Sequence, residues 1–180
     1  LGVLGMMAVK LLRCAGAAPI IAVDPVPEKR QWALENGADY ALDPMEPDFR
    51  DRVKALTGGK GVSACVEVTG VSSAMKQALE CATRMGRIAL LGCTRVSDCG
   101  IDYYQQVHRP GVKLIGAHNF VRPQYESYPH HWTHQDDCKA ILNLLAAGRI
   151  QVKPIISRVV KPADCGEIYT QLCEDPHFPM

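Results

Sequence analysis

Two glycines near the start of the chain have the spacing of a turn that binds phosphate groups. Gly2 and Gly5 stand as the last two glycines of the pattern G-x-G-x-x-G. The segment 3–14 has apolar residues on nearly all sides of a predicted helix, so this helix is expected to be well buried. Backbone N–H groups at a helix start are unpaired and carry partial positive charge, so those of Val3 and Leu4 would donate to a pyrophosphate. Gly2 would allow the phosphates to approach, and Gly5 would let the helix pack closely on a sheet.

An aspartate follows at the distance expected of a residue that binds ribose. Asp24 ends the β-branched run PIIAVD, about 20 residues after the glycines, where an acid bonds a ribose hydroxyl in dinucleotide-binding folds. Its charge would repel the 2′-phosphate of NADP and so favours NAD, although Lys29 and Arg30 nearby act in the opposite direction. The alternative interpretation is that the glycines only begin a helix and that Asp24 is a turn residue.

Helical and strand patterns alternate along the first two thirds of the chain. This alternation predicts an α/β fold, a Rossmann-like, doubly wound parallel sheet with helices on both faces. Near-continuous apolar runs such as IALLG favour strands that are buried on both sides. The predicted helices span 3–14, 28–37, 46–59 and 72–86, and the predicted strands span 19–24, 38–42, 62–70, 86–93 and 111–118.

The alternation stops after Asn119. A polar and aromatic loop over 121–137 contains two prolines, and it is followed by a predicted helix over 138–148 that ends at Gly148. An extended segment over 150–160 and a last helix over 162–175 complete the pattern. The sequence therefore predicts a different organisation for 120–180.

The overall composition excludes several classes of protein. The chain has 180 residues with 20 basic and 19 acidic side chains, a balance that gives no indication of a nucleic-acid or anionic-membrane surface. None of the eight cysteines forms a C-x-x-C pair and several lie in apolar runs, which is typical of reduced thiols in a cytoplasmic protein. No apolar run is long enough to span a bilayer, and the first residues lack the features of a signal peptide.

Four further motifs occur in the order of a known family. They are VDPVPEKRQWALENGADYALDP, LTGGKGVSACVEVTG, ATRMGRIALLG and KLIGAH. Together they resemble the medium-chain dehydrogenase/reductase family, in particular its zinc-type alcohol and polyol dehydrogenases. Ser63 is a departure, since the family usually has aspartate there. The resemblance implies an NAD(P)-binding Rossmann domain over 1–119, whose first strand and first motif glycine would be missing, and a C-terminal segment over 120–180 that returns to the catalytic domain.

The resemblance also implies a set of cofactor contacts. These are Gly2, Val3 and Leu4 at the pyrophosphate, Asp24 and Lys29 at the adenosine ribose, Thr69 and Gly70 along the cofactor groove, Leu91, Gly92 and Cys93 under the nicotinamide, and backbone groups of Ala117 and Asn119 at its carboxamide.

The function implied is that of the NAD-binding portion of a zinc-type alcohol or polyol dehydrogenase, which transfers hydride between an alcohol and NAD. Zinc and the proton relay are expected in an N-terminal domain outside this sequence, so no catalytic or metal-binding residue is assigned here. The chain is expected to be inactive alone. A homodimer through the edge strand Val112–His118 is also implied, and an exposed edge strand favours such pairing.

Other residues with possible chemistry are more simply explained by structure. The stretch PHHWTHQDD contains the acids and histidines of a metal site, but Pro129 and Thr133 favour a loop or a helix start. Glu67, in the apolar strand CVEVTG, is interpreted as structural or groove-lining, because a buried carboxylate needs a partner. Arg122 is interpreted as a solvated loop residue.

Three alternatives stay open at this stage. The first is a zinc-free quinone or enoyl reductase of the same family that uses NADPH. The second is a nucleotide-binding module without catalysis. The third is a methyltransferase that binds S-adenosylmethionine, which also uses a glycine turn and an acid after the next strand, but whose usual antiparallel hairpin has no counterpart in the sequence.

Overall fold

A computed structural model describes residues 1–92 and 100–175. The chain divides into two compact units, one formed by Leu1–Met45 with Gly148–Met180 and the other by Glu46–Ala147. The predicted domain boundary after Asn119 stays a prediction.

Helices and strands alternate in the described residues. The helices are α1 (Val3–Cys14), α2 (Pro27–Glu35), α3 (Phe49–Leu56), α4 (Ser72–Cys81), α5 (His134–Ala146) and α6 (Cys165–Glu174). The strands are β1 (Ile21–Val23), β2 (Tyr40–Leu42), β3 (Val62–Glu67), β4 (Ala82–Leu90) and β5 (Lys113–Gly116). Short 3-10 turns cover Asn119–Val121, Lys153–Ile155 and Pro162–Asp164, and a π-helical turn covers Tyr104–His108. Within the part of the chain that the structure describes, no helix is long and apolar enough to cross a membrane.

The first unit is built on the parallel pair β1–β2. Ile21 is opposite Tyr40, and Val23 is opposite Leu42. A core cluster of buried residues joins α1 and β1 to the returning C-terminal segment. It consists of Met6, Val9, Ile20, Ala22, Ala33, Ala38 and Ile155.

Helix α1 has the predicted bounds but not the predicted burial. Gly5, Met6 and Val9 are buried, whereas Val3 and Leu4 are 50% and 53% exposed. The apolar residues surround the helix, and only one side of it packs on the core cluster of its unit. The expectation that α1 is buried on nearly all sides was therefore wrong.

The second unit contains a three-stranded parallel sheet in the order β3–β4–β5. Cys65, Ile88 and Leu114 form one row across it. Ile88 is fully buried in a cluster with Met75 and Leu79 of α4, because that helix packs on this face of the sheet. These parallel strands with their packed helices confirm the predicted α/β class.

Three local predictions in the second unit are corrected. The helix predicted over 72–86 ends at Cys81, because the chain from Ala82 joins β4 and pairs with β3. The strand predicted over 62–70 as buried ends at Glu67, and its residues Ser63 and Ala64 are exposed. Helix α5 begins at His134 rather than at 138, since the Thr133 hydroxyl accepts a hydrogen bond from the Asp136 N–H and caps it.

A further correction concerns the C-terminal segment. The extended stretch predicted over 150–160 contains no strand within the described residues and includes the 3-10 turn at Lys153–Ile155. The Trp32 indole N–H donates to the Pro154 carbonyl at 3.4 Å, and Ile155 is buried in the core cluster of the first unit. Packing of this one turn, rather than strand pairing, fixes the segment.

Candidate functional site

The predicted phosphate-binding turn forms the start of α1. Gly2 is the residue that precedes the first helical turn, and its extended backbone has no side-chain cap. Its carbonyl accepts the first helical hydrogen bond, from the Met6 N–H at 2.9 Å. Among residues 1–92 and 100–175, no acceptor is found for the N–H groups of Val3 and Leu4. These exposed donors at the positive end of the helix dipole are suited to an anionic group.

Asp24 lies beside this turn in the same unit. It is 6% exposed and directly follows β1. Its Oδ1 accepts the Val26 N–H at 2.8 Å, and its Oδ2 pairs with the N-terminal ammonium group of Leu1. Leu1 precedes Gly2, so the carboxylate lies beside the start of α1. A carboxylate has about four acceptor positions, so these two bonds leave capacity for a hydroxyl group.

The two basic residues that follow Asp24, Lys29 and Arg30, differ in the contacts of their side chains. Arg30 Nη1 donates to the Asp24 carbonyl at 2.7 Å and to the Pro25 carbonyl at 2.8 Å, and it pairs with Asp43 at 3.1 Å. All three contacts use Nη1, so this one nitrogen of the guanidinium is engaged within the protein. Lys29 lies half-buried in the first turn of α2.

In the second unit, Thr69 and Gly70 form a turn immediately after β3. The Glu67 carboxylate accepts hydrogen bonds from the Thr69 N–H at 2.7 Å, from the Gly70 N–H and from the Thr69 hydroxyl. The Thr69 hydroxyl oxygen also accepts the Val71 N–H at 3.0 Å. Gly70 has φ +69°, a left-handed conformation that favours glycine.

Leu91 and Gly92 follow β4 and lie against the same turn. Their N–H groups donate to the Glu67 carbonyl at 2.9 and 2.8 Å. A Cβ atom added to Gly92 would collide with the Gly70 nitrogen and would lie 2.8 Å from the Val68 carbonyl carbon. Gly92 is thus required by the close approach of two backbone segments. Cys93, predicted to lie under the nicotinamide, falls outside the described residues.

The last predicted contacts follow β5. The Ala117 N–H donates to the Leu90 carbonyl at 3.1 Å, which extends the pairing of β4 and β5 by one residue. Asn119 is exposed at the start of a 3-10 turn, where the His118 ring accepts the Phe120 N–H at 3.2 Å. The carboxyl ends of β3, β4 and β5 therefore bring the predicted residues of this unit to one edge of the sheet.

The pKa of a thiol in β3 is shifted by its surroundings, which include Glu67. Burial raises the pKa of Cys65 to about 11, and the charges of Glu67 and of Cys81 act in the same direction. Burial likewise raises the pKa of Cys81 to about 11. Both thiols are therefore protonated at neutral pH. All the cysteines that the structure describes are free.

The histidine-rich stretch lines a shallow groove of about 370 Å³ together with Arg122 and Trp132. Arg122 forms an ion pair with Asp137 at 3.2 Å and lies 2.7 Å from the His134 ring nitrogen. The sequence suggested that Arg122 is a solvated loop residue. In the structure its side chain is bonded to residues of α5. Within 1–92 and 100–175, no three histidine, cysteine or acidic side chains are placed to hold a metal ion, so these residues do not fit a zinc site.

Comparison with known proteins identifies the class of protein that this fold and these residues define. The sequence model of the family described as zinc-binding dehydrogenase matches residues 3–129. The chain belongs to this family, and the resemblance to zinc-type medium-chain dehydrogenases is confirmed.

Individual relatives are dehydrogenases. The chain is 28% identical to the D-guloside 3-dehydrogenase of Escherichia coli strain K12, over 95% of the chain and 48% of that protein. It is also 28% identical to the L-threonine 3-dehydrogenase of Pyrococcus furiosus, over 91% of the chain and 43% of that protein. The chain spans about half the length of the curated relatives it matches.

Solved structures share the fold. Benzyl alcohol dehydrogenase from Acinetobacter calcoaceticus superposes with a TM-score of 0.81 at 18% identity, over 97% of this chain and 45% of that one. An alcohol dehydrogenase zinc-binding domain protein from Burkholderia ambifaria superposes with a TM-score of 0.80 at 24% identity, over 96% of this chain and 43% of that one. These neighbours confirm the predicted Rossmann-like fold class.

The sequence missed how the predicted residues are held. Glu67 was expected to have a structural or groove-lining role, but its function as acceptor for the whole Thr69–Gly70 turn was not foreseen. The available signal was an acid in an apolar strand, two residues before a Thr-Gly pair. No pattern in the sequence predicted the three contacts of Arg30, because two of its hydrogen-bond acceptors are backbone carbonyls.

Proposed function

We propose that the chain binds NAD as the cofactor-binding portion of a zinc-type alcohol or polyol dehydrogenase. The observation that carries this proposal is the placement of Asp24 beside the uncapped start of α1. Unpaired N–H groups suit a pyrophosphate, and a carboxylate with unused acceptor positions suits a ribose hydroxyl. Family membership supports the same interpretation.

NAD is preferred to NADP because of the charges next to this turn. The Asp24 carboxylate would repel a 2′-phosphate, and the neighbouring Arg30 has its Nη1 engaged by two carbonyls and by Asp43. A basic residue that binds NADP must be free to reach the 2′-phosphate. Lys29 remains the proposed second contact of the adenosine ribose.

Further cofactor contacts are proposed, from the family resemblance, for residues of the second unit. These are Thr69, Gly70, Leu91, Gly92, Ala117 and Asn119, with Cys93 added from the sequence. Hydride transfer from an alcohol needs an electrophile to polarise the alcohol oxygen, and no residue of this chain is assigned that role. We therefore expect the chain alone to bind the cofactor without turning over an alcohol.

A cytoplasmic homodimer is the proposed assembly. Strand β5 is the edge of its sheet, and all four of its residues are exposed, including Leu114 and Ile115. An apolar strand edge with free N–H and C=O groups favours pairing with a second copy of the same strand. Sedimentation of the native chain and of an Ile115→Lys variant would test this part of the proposal, with a monomeric variant expected.

Calorimetric titration is the test of the cofactor. NAD, NADP and S-adenosylmethionine would be titrated into the native chain and into Asp24→Ala and Asp24→Asn variants. We expect NAD to bind, NADP to bind more weakly, and NAD affinity to fall in both variants while the far-ultraviolet circular dichroism stays native.

Each other outcome contradicts a named part of the proposal. Preference for NADP would favour the zinc-free quinone or enoyl reductase. Binding of S-adenosylmethionine alone would favour a methyltransferase. Absence of NAD binding to the folded native chain would exclude an independent cofactor-binding function for this chain.

A further inference from the structure

Glu67 is a buried carboxylate with an unusual set of partners. It ends β3 and is 5% exposed. Burial of a charge is unfavourable unless hydrogen bonds compensate it. Oε1 accepts the N–H groups of Thr69 and Gly70 at 2.7 and 3.3 Å and also the Thr69 hydroxyl, and Oε2 accepts the Gly70 N–H at 3.2 Å. Among residues 1–92 and 100–175, the hydrogen bonds that compensate this burial come from the turn that follows the strand.

The backbone of the same residue binds a second segment. The Glu67 carbonyl accepts the N–H groups of Leu91 and Gly92, and its Oε2 lies 2.9 Å from the position of a Cβ on Gly92. One residue thus fixes two chain segments that carry proposed cofactor contacts. Neither segment is part of a helix or a strand.

These bonds also determine what the turn can offer to a ligand. Both N–H groups of Thr69 and Gly70 face Glu67, and the Thr69 hydroxyl donates to Glu67 while accepting from Val71. A hydroxyl has one proton to donate, so the Thr69 hydroxyl has no donor left for a cofactor. The turn would therefore contact a cofactor through its shape and its carbonyl groups.

We propose that Glu67 is a positioning residue of the dinucleotide site, which holds the Thr69–Gly70 turn in the form that contacts the cofactor. The inference rests on the proposed function. Ordering a loop when a ligand binds reduces the affinity, and a loop ordered beforehand avoids that loss. Glu67 acts through the turn and does not itself touch the cofactor.

The Glu67→Gln variant tests this role with a small change. Its amide oxygen can replace Oε1, but its NH₂ group would face the Gly70 N–H, so that two donors oppose each other. The turn must then be ordered when NAD binds, and we expect this cost to weaken the affinity for NAD about tenfold. Ile88→Val, in the buried core of the same sheet, is the matched control for a general loss of stability.

The Thr69 hydroxyl provides a second test of the mechanism. Thr69→Val removes the hydroxyl and should weaken NAD binding, whereas Thr69→Ser keeps it and should restore native affinity. Because Glu67 and Thr69 act as one unit, the Glu67→Gln and Thr69→Val effects should be less than additive in the double variant. Amide hydrogen exchange should be faster at Gly70 in Glu67→Gln and unchanged there in Ile88→Val.

The results separate this inference from the proposed function. Weaker NAD binding in Glu67→Gln, native affinity in Ile88→Val and rescue by Thr69→Ser support the positioning role. Native NAD affinity in Glu67→Gln, or an equal loss in Ile88→Val, overturns it while the proposed function stands. Failure of the native chain to bind NAD overturns both.

Discussion

Replacement of Gly92 by alanine tests the close packing of the segments that follow β3 and β4. The new Cβ would collide with the Gly70 nitrogen, and it would lie 2.8 Å from the Val68 carbonyl carbon and 2.9 Å from Glu67 Oε2. Two of these three atoms belong to the backbone and cannot rotate away. The turn must therefore move, and the Gly70 hydrogen bonds to Glu67 must lengthen or break.

The expected magnitude follows from these contacts. Forced insertion of a methyl group into a packed site destabilises a protein by about 1–3 kcal/mol, and loss of a hydrogen bond to a charged group adds about 1.5–3 kcal/mol. We expect the free energy of unfolding to fall by about 3 kcal/mol. With a urea dependence of about 2 kcal/mol per molar, the midpoint of unfolding falls by about 1.5 M.

Urea denaturation followed by far-ultraviolet circular dichroism measures this change. Gly116→Ala is the matched control, because Gly116 lies in β5 of the same sheet and a Cβ there meets no atom within 4 Å. The control should unfold at or slightly above the native midpoint, since alanine restricts the unfolded chain. Equal midpoints for Gly92→Ala and Gly116→Ala would refute the packing argument.

Three further predictions concern groups outside this turn. Cys65 and Cys81, with pKa values of about 11, should react with iodoacetamide at pH 8 about a hundredfold more slowly than the exposed cysteines, and their rates should rise tenfold per pH unit; rates as fast as those of the exposed thiols would contradict their burial. The pKa of Asp39 is lowered by its hydrogen bond from the Ile20 N–H and by Arg13, so its contribution to stability is present above about pH 4 and is lost as the pH falls through the folded-state pKa. Urea midpoints of the native chain and Asp39→Asn should therefore converge in acid, and a constant difference would exclude this linkage. Thr133→Ala should lower the stability by about 1 kcal/mol through loss of the α5 cap, with Thr133→Ser near native by the same measurement.

The sequence predicted those elements whose signals are local. Helix α1 has the predicted bounds, and α2, predicted over 28–37, ends at Glu35. The start of β4 has no such signal, because Ala82 leaves the helix only to pair with Val62 of another strand. Met85 adopts φ +58° there, with its N–H donating to the Pro110 carbonyl, and helix propensity cannot anticipate that bond.

The candidate site shows the same division between local and distant signals. The proximity of Asp24 to the helix start follows from the expected βα geometry, which depends on spacing along the chain. The engagement of Arg30 and the contact between Gly92 and Gly70 depend on which backbone groups meet in three dimensions. In such cases the spacing of a motif identifies which segment of the chain takes part in the site. It does not identify which atoms of that segment make the contacts.

The return of the C-terminal segment to the first unit has a consequence for biosynthesis. Trp32 bonds Pro154 across a separation of 122 residues, and Ile155 completes the core cluster around Met6. At about 5–20 residues per second, the ribosome needs roughly 6–24 s to make the intervening chain. The second unit is continuous in sequence and can fold in that interval. The first unit cannot complete its core in the same interval, so Met6 and its apolar neighbours stay exposed. Nascent chains arrested before Gly148 should therefore be protected from proteolysis in the second unit only.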